Sequence, residues 1–245
     1  MSEIRKNFLT KVLFKIDFSE PMKIPSETID EVKTKIQDRL PKFNKGLAET
    51  IEVVMGTDEQ RTIRKKREVF DFKNEDETQW IHIEDAAVWL EVSEYSTFNH
   101  FERLINDLLT ALTLKGKSAR LGLRYINQIT INEGDPFDWN GWINSNLLNP
   151  IKFVNNKETL ARVMGVIIYN LDEYQMKFQY GMYNSEFPNP IAKREFVLDF
   201  DCSTKEPRDY NETLNLLNIM HGLIKGKFKE TIGPEIEKII EEESL

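Results

Sequence analysis

Two carboxylates in the second half of the chain have the spacing of a metal site. Asp199 and Asp201 alternate along a stretch with the pattern of a β-strand, so both side chains fall on one face. Together with a third acid they could hold Mg²⁺. The solvent side of a one-sided sheet has the same alternation. Because alternation alone explains the spacing, we favour the solvent-side interpretation and predict no metal site.

Other catalytic motifs are missing or incomplete. His100 and Glu102 form the H-x-E part of a zinc deaminase site, but the P-C-x-x-C part is absent. Zinc needs two or three nitrogen or sulfur ligands, and besides His100 the chain offers only His82, His221 and Cys202. Neither a phosphate-binding G-x-x-x-x-G-K-[ST] loop nor a G-x-S-x-G nucleophile turn occurs. The sequence therefore favours a protein without catalytic residues or a cofactor, and an enzyme assembled from scattered residues stays the alternative.

A short basic run is the candidate nucleic-acid site. It consists of Arg61, Arg64, Lys65, Lys66 and Arg67. Such a cluster is typical of a surface that binds nucleic acid or an acidic partner. The alternative is a solvated loop and strand start, with Asp58, Glu59 and Glu68 beside it. Base readout usually requires aromatic residues among the cations, and this run contains none. We therefore favour the solvated interpretation.

Arg124, Tyr125 and Asn127 are candidates for an interaction site. They follow Gly122 on a predicted strand, and a glycine inside a strand often marks a bulge or a close backbone approach. The charged Arg124 calls for a carboxylate partner. One hypothesis is a recognition or anion-binding site. The other, equally supported, is a buried Arg and Asn that tie the two halves of the chain together.

The aromatic residues Phe137, Trp139 and Trp142 are the second candidate interaction surface. Tryptophan is enriched in the residues that dominate binding energies at protein interfaces. A short amphipathic segment that fills the seam between two halves of the chain would bury the same rings. We favour this buried interpretation by a modest margin and keep Trp139 and Trp142 as candidates for partner contact.

Composition and charge restrict the environment and the partners. The 245 residues include 41 acidic and 33 basic side chains, a formal net charge of −8 that works against binding to phosphate backbones and anionic lipids. The single cysteine, Cys202, cannot form an intramolecular disulfide and indicates a reducing compartment. The first residues lack the apolar core of a signal peptide, and no apolar run reaches about 18 residues. We expect a cytoplasmic protein without a membrane partner, and its oligomeric state stays open.

The hydrophobic periodicity predicts α+β architecture. Alternating strands are predicted over 9–18, 80–83, 88–92, 119–131, 162–170, 175–184 and 194–202, with short strands at 50–55 and 68–72. Helices are predicted over 26–40, about 97–112, 140–148 and 211–228, followed by an acidic helical tail at 235–243. Ser26 and Ser96 or Thr97 are the predicted helix caps.

An internal echo suggests duplication. Residues 88–114 and 196–228 both contain an alternating strand, a polar turn and a helix, and each helix ends on Lys-Gly-Lys. The strongest turn cluster lies at residues 133–136, so we predict an N-terminal half at 1–132 and a C-terminal half at 133–245 that could pack as one domain. The predicted fold is antiparallel sheets with helices packed on one face. It is compatible with two duplicated ferredoxin-like β-α-β-β-α-β halves.

Several phrases resemble a sporadically distributed, mainly prokaryotic protein family of similar length that has no assigned activity. The most specific is the Gly-Leu-Arg-Tyr-Ile-Asn phrase at 122–127. The opening strand at 8–18, the phrase at 88–101 and Leu-Asp-Phe-Asp at 198–201 fit the same pattern, so the resemblance spans nearly the whole chain. Proteins with such a patchy distribution are typically cargo of mobile elements or of anti-phage systems. The resemblance therefore implies a role of this kind.

These observations lead to two functional expectations. The first is a non-enzymatic protein-binding accessory, sensor or immunity-type subunit, as in a bacterial anti-phage defence or toxin system. The second is a nucleic-acid-binding or nucleic-acid-processing protein that uses the basic run at 61–67. A metal-dependent enzyme built around Asp199 and Asp201 is a third, weaker hypothesis.

Overall fold

The structure is a computed structural model that describes residues 8–55 and 60–242, without the side chains of residues 50–65 and 241–242. Five α-helices lie in this part of the chain: α1 (Ser26–Ile36), α2 (Phe98–Leu112), α3 (Asn149–Phe153), α4 (Thr213–Thr231) and α5 (Pro234–Glu242). The described strands are β1 (Leu9–Phe18), β2 (Lys42–Met55), β3 (Gln60–Lys73), β4 (Gln79–Glu84), β5 (Ala87–Val92), β6 (Lys117–Ile131), β7 (Val163–Leu171), β8 (Tyr174–Met182), β9 (Arg194–Thr204) and β10 (Arg208–Asp209).

The ten strands form one large sheet. Their hydrogen-bonded order is β2-β3-β4-β5-β1-β6-β9-β8-β7, and the short β10 pairs with β6. The predicted α+β class with antiparallel strands is confirmed. The prediction of several sheets is corrected to a single one, and duplicated ferredoxin-like halves are not shown by this topology.

Two compact units are each assembled from separate stretches of the chain. The N-terminal unit comprises Leu13–Gly122 and Glu206–Asn215. The C-terminal unit comprises the described part of Met1–Val12 together with Leu123–Lys205 and the described part of Leu216–Leu245. The predicted division of the chain into halves at 1–132 and 133–245 stays a prediction.

The core of the N-terminal unit follows from alternation in its strands. On β1, Phe14, Ile16 and Phe18 are buried, whereas Lys15 and Asp17 on the other face are partly exposed. The helices α1 and α2 are amphipathic, and their buried residues are Ile29, Val32 and Ile36 on α1 and Phe101, Leu104, Ile105, Leu108, Ala111 and Leu112 on α2. The apolar face of each helix is thus buried together with one face of the strands.

Stacked phenylalanines form the core of the C-terminal unit. The rings of Phe178 on β8 and Phe200 on β9 are nearly parallel, with centroids 4.5 Å apart. Phe228 of α4 meets Phe200 edge-on at 6.4 Å. Aromatic pairs of this kind stabilise a fold beyond the area that they bury. They hold β8 and β9 under α4 and so determine which side chains of these strands reach the outer face.

Several predicted element boundaries are corrected by the structure. The two short strands predicted at 50–55 and 68–72 belong to a long ribbon, in which β2 and β3 pair over fourteen positions. The helix predicted over 26–40 ends at Ile36, and Pro25 rather than Ser26 is its N-cap residue. The helix predicted over 140–148 is a 3₁₀ turn at Ser145–Leu148 followed by α3, because Pro150 suits the first turn of a helix. The predicted cap Thr97 is confirmed, since its side chain accepts the His100 N–H.

Candidate functional site

The predicted interaction residue Arg124 is joined to Asp199, one of the two candidate metal ligands. Arg124 Nε donates to Asp199 Oδ1 at 2.8 Å, and Arg124 Nη2 donates to Asp199 Oδ2 at 2.7 Å. Asp199 is 7% exposed, whereas the Arg124 side chain is 39% exposed. The hydrogen bonds to Asp199 raise the pKa of Arg124, so the guanidinium stays charged. Arg124 therefore has the carboxylate partner that its place on a strand called for, on β9.

Tyr125 and Asn127 lie on the opposite face of β6 from Arg124 and are buried. The Tyr125 hydroxyl is 2.8 Å from His221 Nδ1 of α4. Asn127 Nδ2 donates to the Leu198 carbonyl at 3.2 Å. These contacts tie β6 to α4 and β9 inside the C-terminal unit. The three predicted residues are thus divided between two faces of one strand.

The two predicted tryptophans have different environments. Trp139 is 1% exposed, its Nε1 donates to the Pro136 carbonyl at 3.0 Å, and its ring lies 5.2 Å from that of Phe196. Trp142 is partly exposed. Because the ring of Trp139 fills the core, it is not available to a partner in this conformation. Of the two, Trp142 alone stays a candidate for direct partner contact.

The basic run lies on the part of the β2–β3 ribbon that extends beyond the pairing of β3 with β4. β3 pairs with β4 only over Val69–Lys73, so residues 60–68 of β3 are paired to β2 in the described structure and extend beyond β4. The side chains of Arg61, Arg64 and Lys65 lie outside the described residues. Lys66 is exposed, and Arg67 Nη1 is 3.5 Å from Asp85 Oδ1. The structure thus places the run on a strand and pairs one of its cations with an acid.

An aromatic cluster on the outer face of the N-terminal unit was not singled out as a site from the sequence. We define the aromatic patch as Asp71 of β3, Trp80 and His82 of β4, and Trp89 of β5. The antiparallel register aligns Asp71 with His82 and His82 with Trp89, so the side chains follow one another across three strands. Trp80 and Trp89 are partly exposed. The patch therefore presents two indole rings at the surface.

Asp71 holds the patch in position. Its Oδ1 accepts from Trp80 Nε1 at 2.8 Å and lies 2.6 Å from His82 Nδ1. The His82 ring stacks on Trp89 with centroids 4.0 Å apart, and Trp80 meets both rings edge-on. One carboxylate thus fixes the orientation of a tryptophan and a histidine, and the histidine supports the second tryptophan. A binding surface whose rings are held in this way loses little conformational entropy when a partner binds.

Two lysines border the aromatic patch. Lys15 Nζ lies 5.7 Å from the centroid of the Trp89 ring and 2.7 Å from Asp17 Oδ1. Lys73 Nζ lies 5.7 Å from the Trp80 ring and 2.9 Å from Glu77 Oε2. The hydrogen bond between Lys73 and Glu77 raises the pKa of Lys73 and lowers that of Glu77. The border therefore carries charges of both signs, arranged in pairs.

The signal for this patch was present in the sequence. Trp80 and His82 are two residues apart on a strand, and the hairpin that joins them to Trp89 was predicted. Alternation places Trp80 and His82 on the same face, opposite the buried Ile81 and Ile83. The alignment of His82 with Trp89 required the register of the hairpin, and Asp71 required the pairing of β3 with β4.

The described residues contain neither a metal-ligand cluster nor a membrane-spanning helix, and the chain matches no known family. Among the described residues, no three His, Cys, Asp or Glu side chains are grouped so that they could hold a metal ion, and no helix is long and apolar enough to cross a membrane. Comparison of the chain with protein-family models and with curated proteins found no match.

Proposed function

We propose that the chain is a non-enzymatic protein-binding subunit that contacts its partner through the aromatic patch. The observation that carries the proposal is the pair of partly exposed tryptophans, Trp80 and Trp89, fixed on an outer sheet face by Asp71 and His82. Tryptophan is prominent among residues that dominate binding energy. The resemblance to a patchily distributed family supports an accessory, sensor or immunity-type role in a bacterial defence or toxin system.

The chemistry of the patch favours a folded protein surface with an apolar centre and a polar rim. Trp80 and Trp89 supply the apolar centre, and the paired charges of Lys15 with Asp17 and of Lys73 with Glu77 supply the rim. This division into an apolar centre and a polar border is typical of protein interfaces. A base would meet a Trp89 ring that is already covered on one side by His82, and a phosphate would meet lysines already bonded to acids.

Loss of either tryptophan is expected to weaken partner binding strongly. The test is a tagged pull-down from the native host with and without nuclease, for the wild type and for Trp80→Ala and Trp89→Ala. We expect a stoichiometric partner that survives nuclease, and an affinity at least about 30-fold weaker for each variant, which corresponds to about 2 kcal/mol. Isothermal calorimetry with the purified partner gives that number.

Trp142→Ala tests the competing candidate for partner contact, because Trp142 is a partly exposed tryptophan in the C-terminal unit. If the partner binds the aromatic patch, this variant keeps the partner. Circular dichroism should show that all three variants are folded. Retention of the partner by both patch variants, or loss of it in the Trp142 variant alone, contradicts the assignment to the patch. Recovery of no stable protein partner contradicts the function itself.

A second candidate function is nucleic-acid binding by the β2–β3 ribbon. The observation in its favour is that the run of Arg61, Arg64, Lys65, Lys66 and Arg67 falls on residues 60–68, where β3 extends beyond β4. Two-stranded ribbons are among the elements that enter nucleic-acid grooves. A duplicated ferredoxin-like architecture, which we keep as a proposal, would also be compatible with RNA binding by analogy. The net charge of −8 argues against this function.

Nucleic-acid binding by the ribbon would be strongly dependent on salt. Replacement of Arg64, Lys65, Lys66 and Arg67 by Ala together is expected to reduce the slope of log affinity against log salt by about 0.7–0.9 for each phosphate that the variant no longer neutralises. Fluorescence anisotropy with labelled single-stranded and duplex oligonucleotides measures this slope. Binding that is insensitive to salt, or equal for wild type and variant, excludes the basic run as the site.

A further inference from the structure

The strand β7 is an open edge of the sheet. It is the last strand in the hydrogen-bonded order and pairs over all nine of its residues with β8. The short helix α3 comes near β7, but no backbone hydrogen bond between them occurs in the described structure. An edge strand presents backbone N–H and C=O groups that can pair with a further strand. β7 is therefore geometrically able to extend the sheet.

β7 lacks the features by which edge strands are normally protected. Its sequence, Val-Met-Gly-Val-Ile-Ile-Tyr-Asn-Leu, contains no charge and no proline, and it is longer than a typical strand of about five or six residues. Met164, Val166 and Ile168 form a row on its outer face and are 38%, 54% and 62% exposed. The opposite edge differs, because β2 carries the exposed Lys42, Lys45 and Glu49 among its described side chains. One edge of this sheet is thus protected by charge, and the other is not.

We propose that β7 pairs antiparallel with β7 of a second copy of this chain, with the two Ile167 residues facing each other on the twofold axis. Directly opposite residues on antiparallel strands share a face. This register therefore places Val166 opposite Ile168 and Met164 opposite Asn170, each twice. Branched cross-strand pairs of this type stabilise a sheet. The exposed rows of the two copies then lie side by side on one face of the joined sheet, where their apolar side chains contact each other.

The strand carries no charge and is therefore compatible with itself in this register, as a twofold interface requires. Gly165 faces Tyr169, and the ring of Tyr180 on β8 lies over Gly165. Val163 faces Leu171, and no like charges meet, because the strand has none. A different partner would need to supply a matching uncharged strand, whereas a second copy supplies it in every case. β7 belongs to the C-terminal unit, whereas the residues of the aromatic patch belong to the N-terminal unit.

Cysteine cross-linking tests the register. Ile167→Cys places two thiols opposite each other at the twofold axis, where cross-strand Cβ atoms are about 4.5–5.5 Å apart. Leu171→Cys is the matched control on the same strand, since two Leu171 residues would be about eight positions or about 26 Å apart, beyond the reach of a disulfide. The natural Cys202 is buried on β9. We expect the Ile167→Cys chain alone to form a disulfide-linked dimer under mild oxidation.

Sedimentation velocity of the full chain tests the association itself. The wild type is expected to approach twice its 28.8 kDa mass as its concentration rises, and Ile168→Lys to shift it to the monomer. Leu47→Lys on β2 is the control, because Leu47 is 68% exposed on the protected edge, and it should leave the dimer unchanged. The proposal is overturned by a wild type that stays monomeric at about 100 µM, by a dimer that Ile168→Lys leaves intact, or by equal cross-linking of Leu171→Cys.

Discussion

Trp139→Ala is expected to lower the free energy of unfolding by about 3–5 kcal/mol, because it removes the largest fully buried side chain described and leaves a cavity beside Phe196. The Pro136 carbonyl also loses the hydrogen bond that it accepts from Trp139 Nε1. Urea unfolding followed by far-ultraviolet circular dichroism measures the change without relying on tryptophan fluorescence.

Two further variants separate the packing of Trp139 from its hydrogen bond. Trp139→Phe keeps most of the ring and loses the donor, so we expect a smaller loss, about 1–2 kcal/mol. Trp142→Ala removes a partly exposed ring and should cost about 1 kcal/mol. A Trp139→Ala protein with unchanged stability but without partner binding would show that this ring acts at the surface and would contradict the buried assignment.

Local patterns along the chain predicted most elements of the fold. The alternation of β1, the β4–β5 hairpin and the apolar spacing of α2 are each determined within a few residues, so periodicity identifies them. The ends of elements were predicted less well. Pro25 and Pro150 act at the starts of α1 and α3, where backbone conformation rather than apolar spacing decides the boundary.

These local patterns did not predict the order of the strands in the sheet. β6 lies between β1 and β9, so its neighbours come from opposite ends of the chain, and nothing in the spacing of apolar residues records which strands pair. The expectation of two separate ferredoxin-like halves came from a local echo of strand, turn and helix. The same local order is compatible with one continuous sheet, which is the arrangement that the structure has.

In the candidate site too, alternation predicts some features, whereas others depend on which strands pair. Trp80 and His82 share a face because they are two residues apart, which alternation predicts, but Asp71 is eleven residues from His82 and reaches it through the β3–β4 register. Arg124 was expected to have a carboxylate partner, and Asp199 was considered as a metal ligand. Their contact spans 75 residues and could not be derived from either position alone.

Arg124→Met is expected to destabilise the C-terminal unit by about 2 kcal/mol. The substitution keeps much of the aliphatic chain and removes the guanidinium, so the carboxylate of Asp199, which is 7% exposed, is left without its two donors. Breaking a fully buried ion pair costs about 3–5 kcal/mol. We expect less here because the Arg124 side chain is 39% exposed and water reaches one side of the pair.

A double-mutant cycle with Asp199→Asn tests this account. If the destabilisation in Arg124→Met comes from an unpaired carboxylate, removal of its charge should restore part of the stability, with a coupling energy of about 1–2 kcal/mol. Lys193→Met is the control, because Lys193 and Glu186 form an ion pair at 2.8 Å whose side chains are 53% and 43% exposed, and such pairs contribute about 0–1 kcal/mol.

The result also decides between the two hypotheses for Arg124. If the residue serves structure, Arg124→Met weakens the fold but leaves the affinity for a partner unchanged once the protein is folded, because its guanidinium is already engaged by Asp199. If it serves recognition, the affinity falls at a temperature where the variant is fully folded. Equal decreases in stability for Arg124→Met and Lys193→Met would show that Asp199 is well solvated and would remove the reason for a structural role.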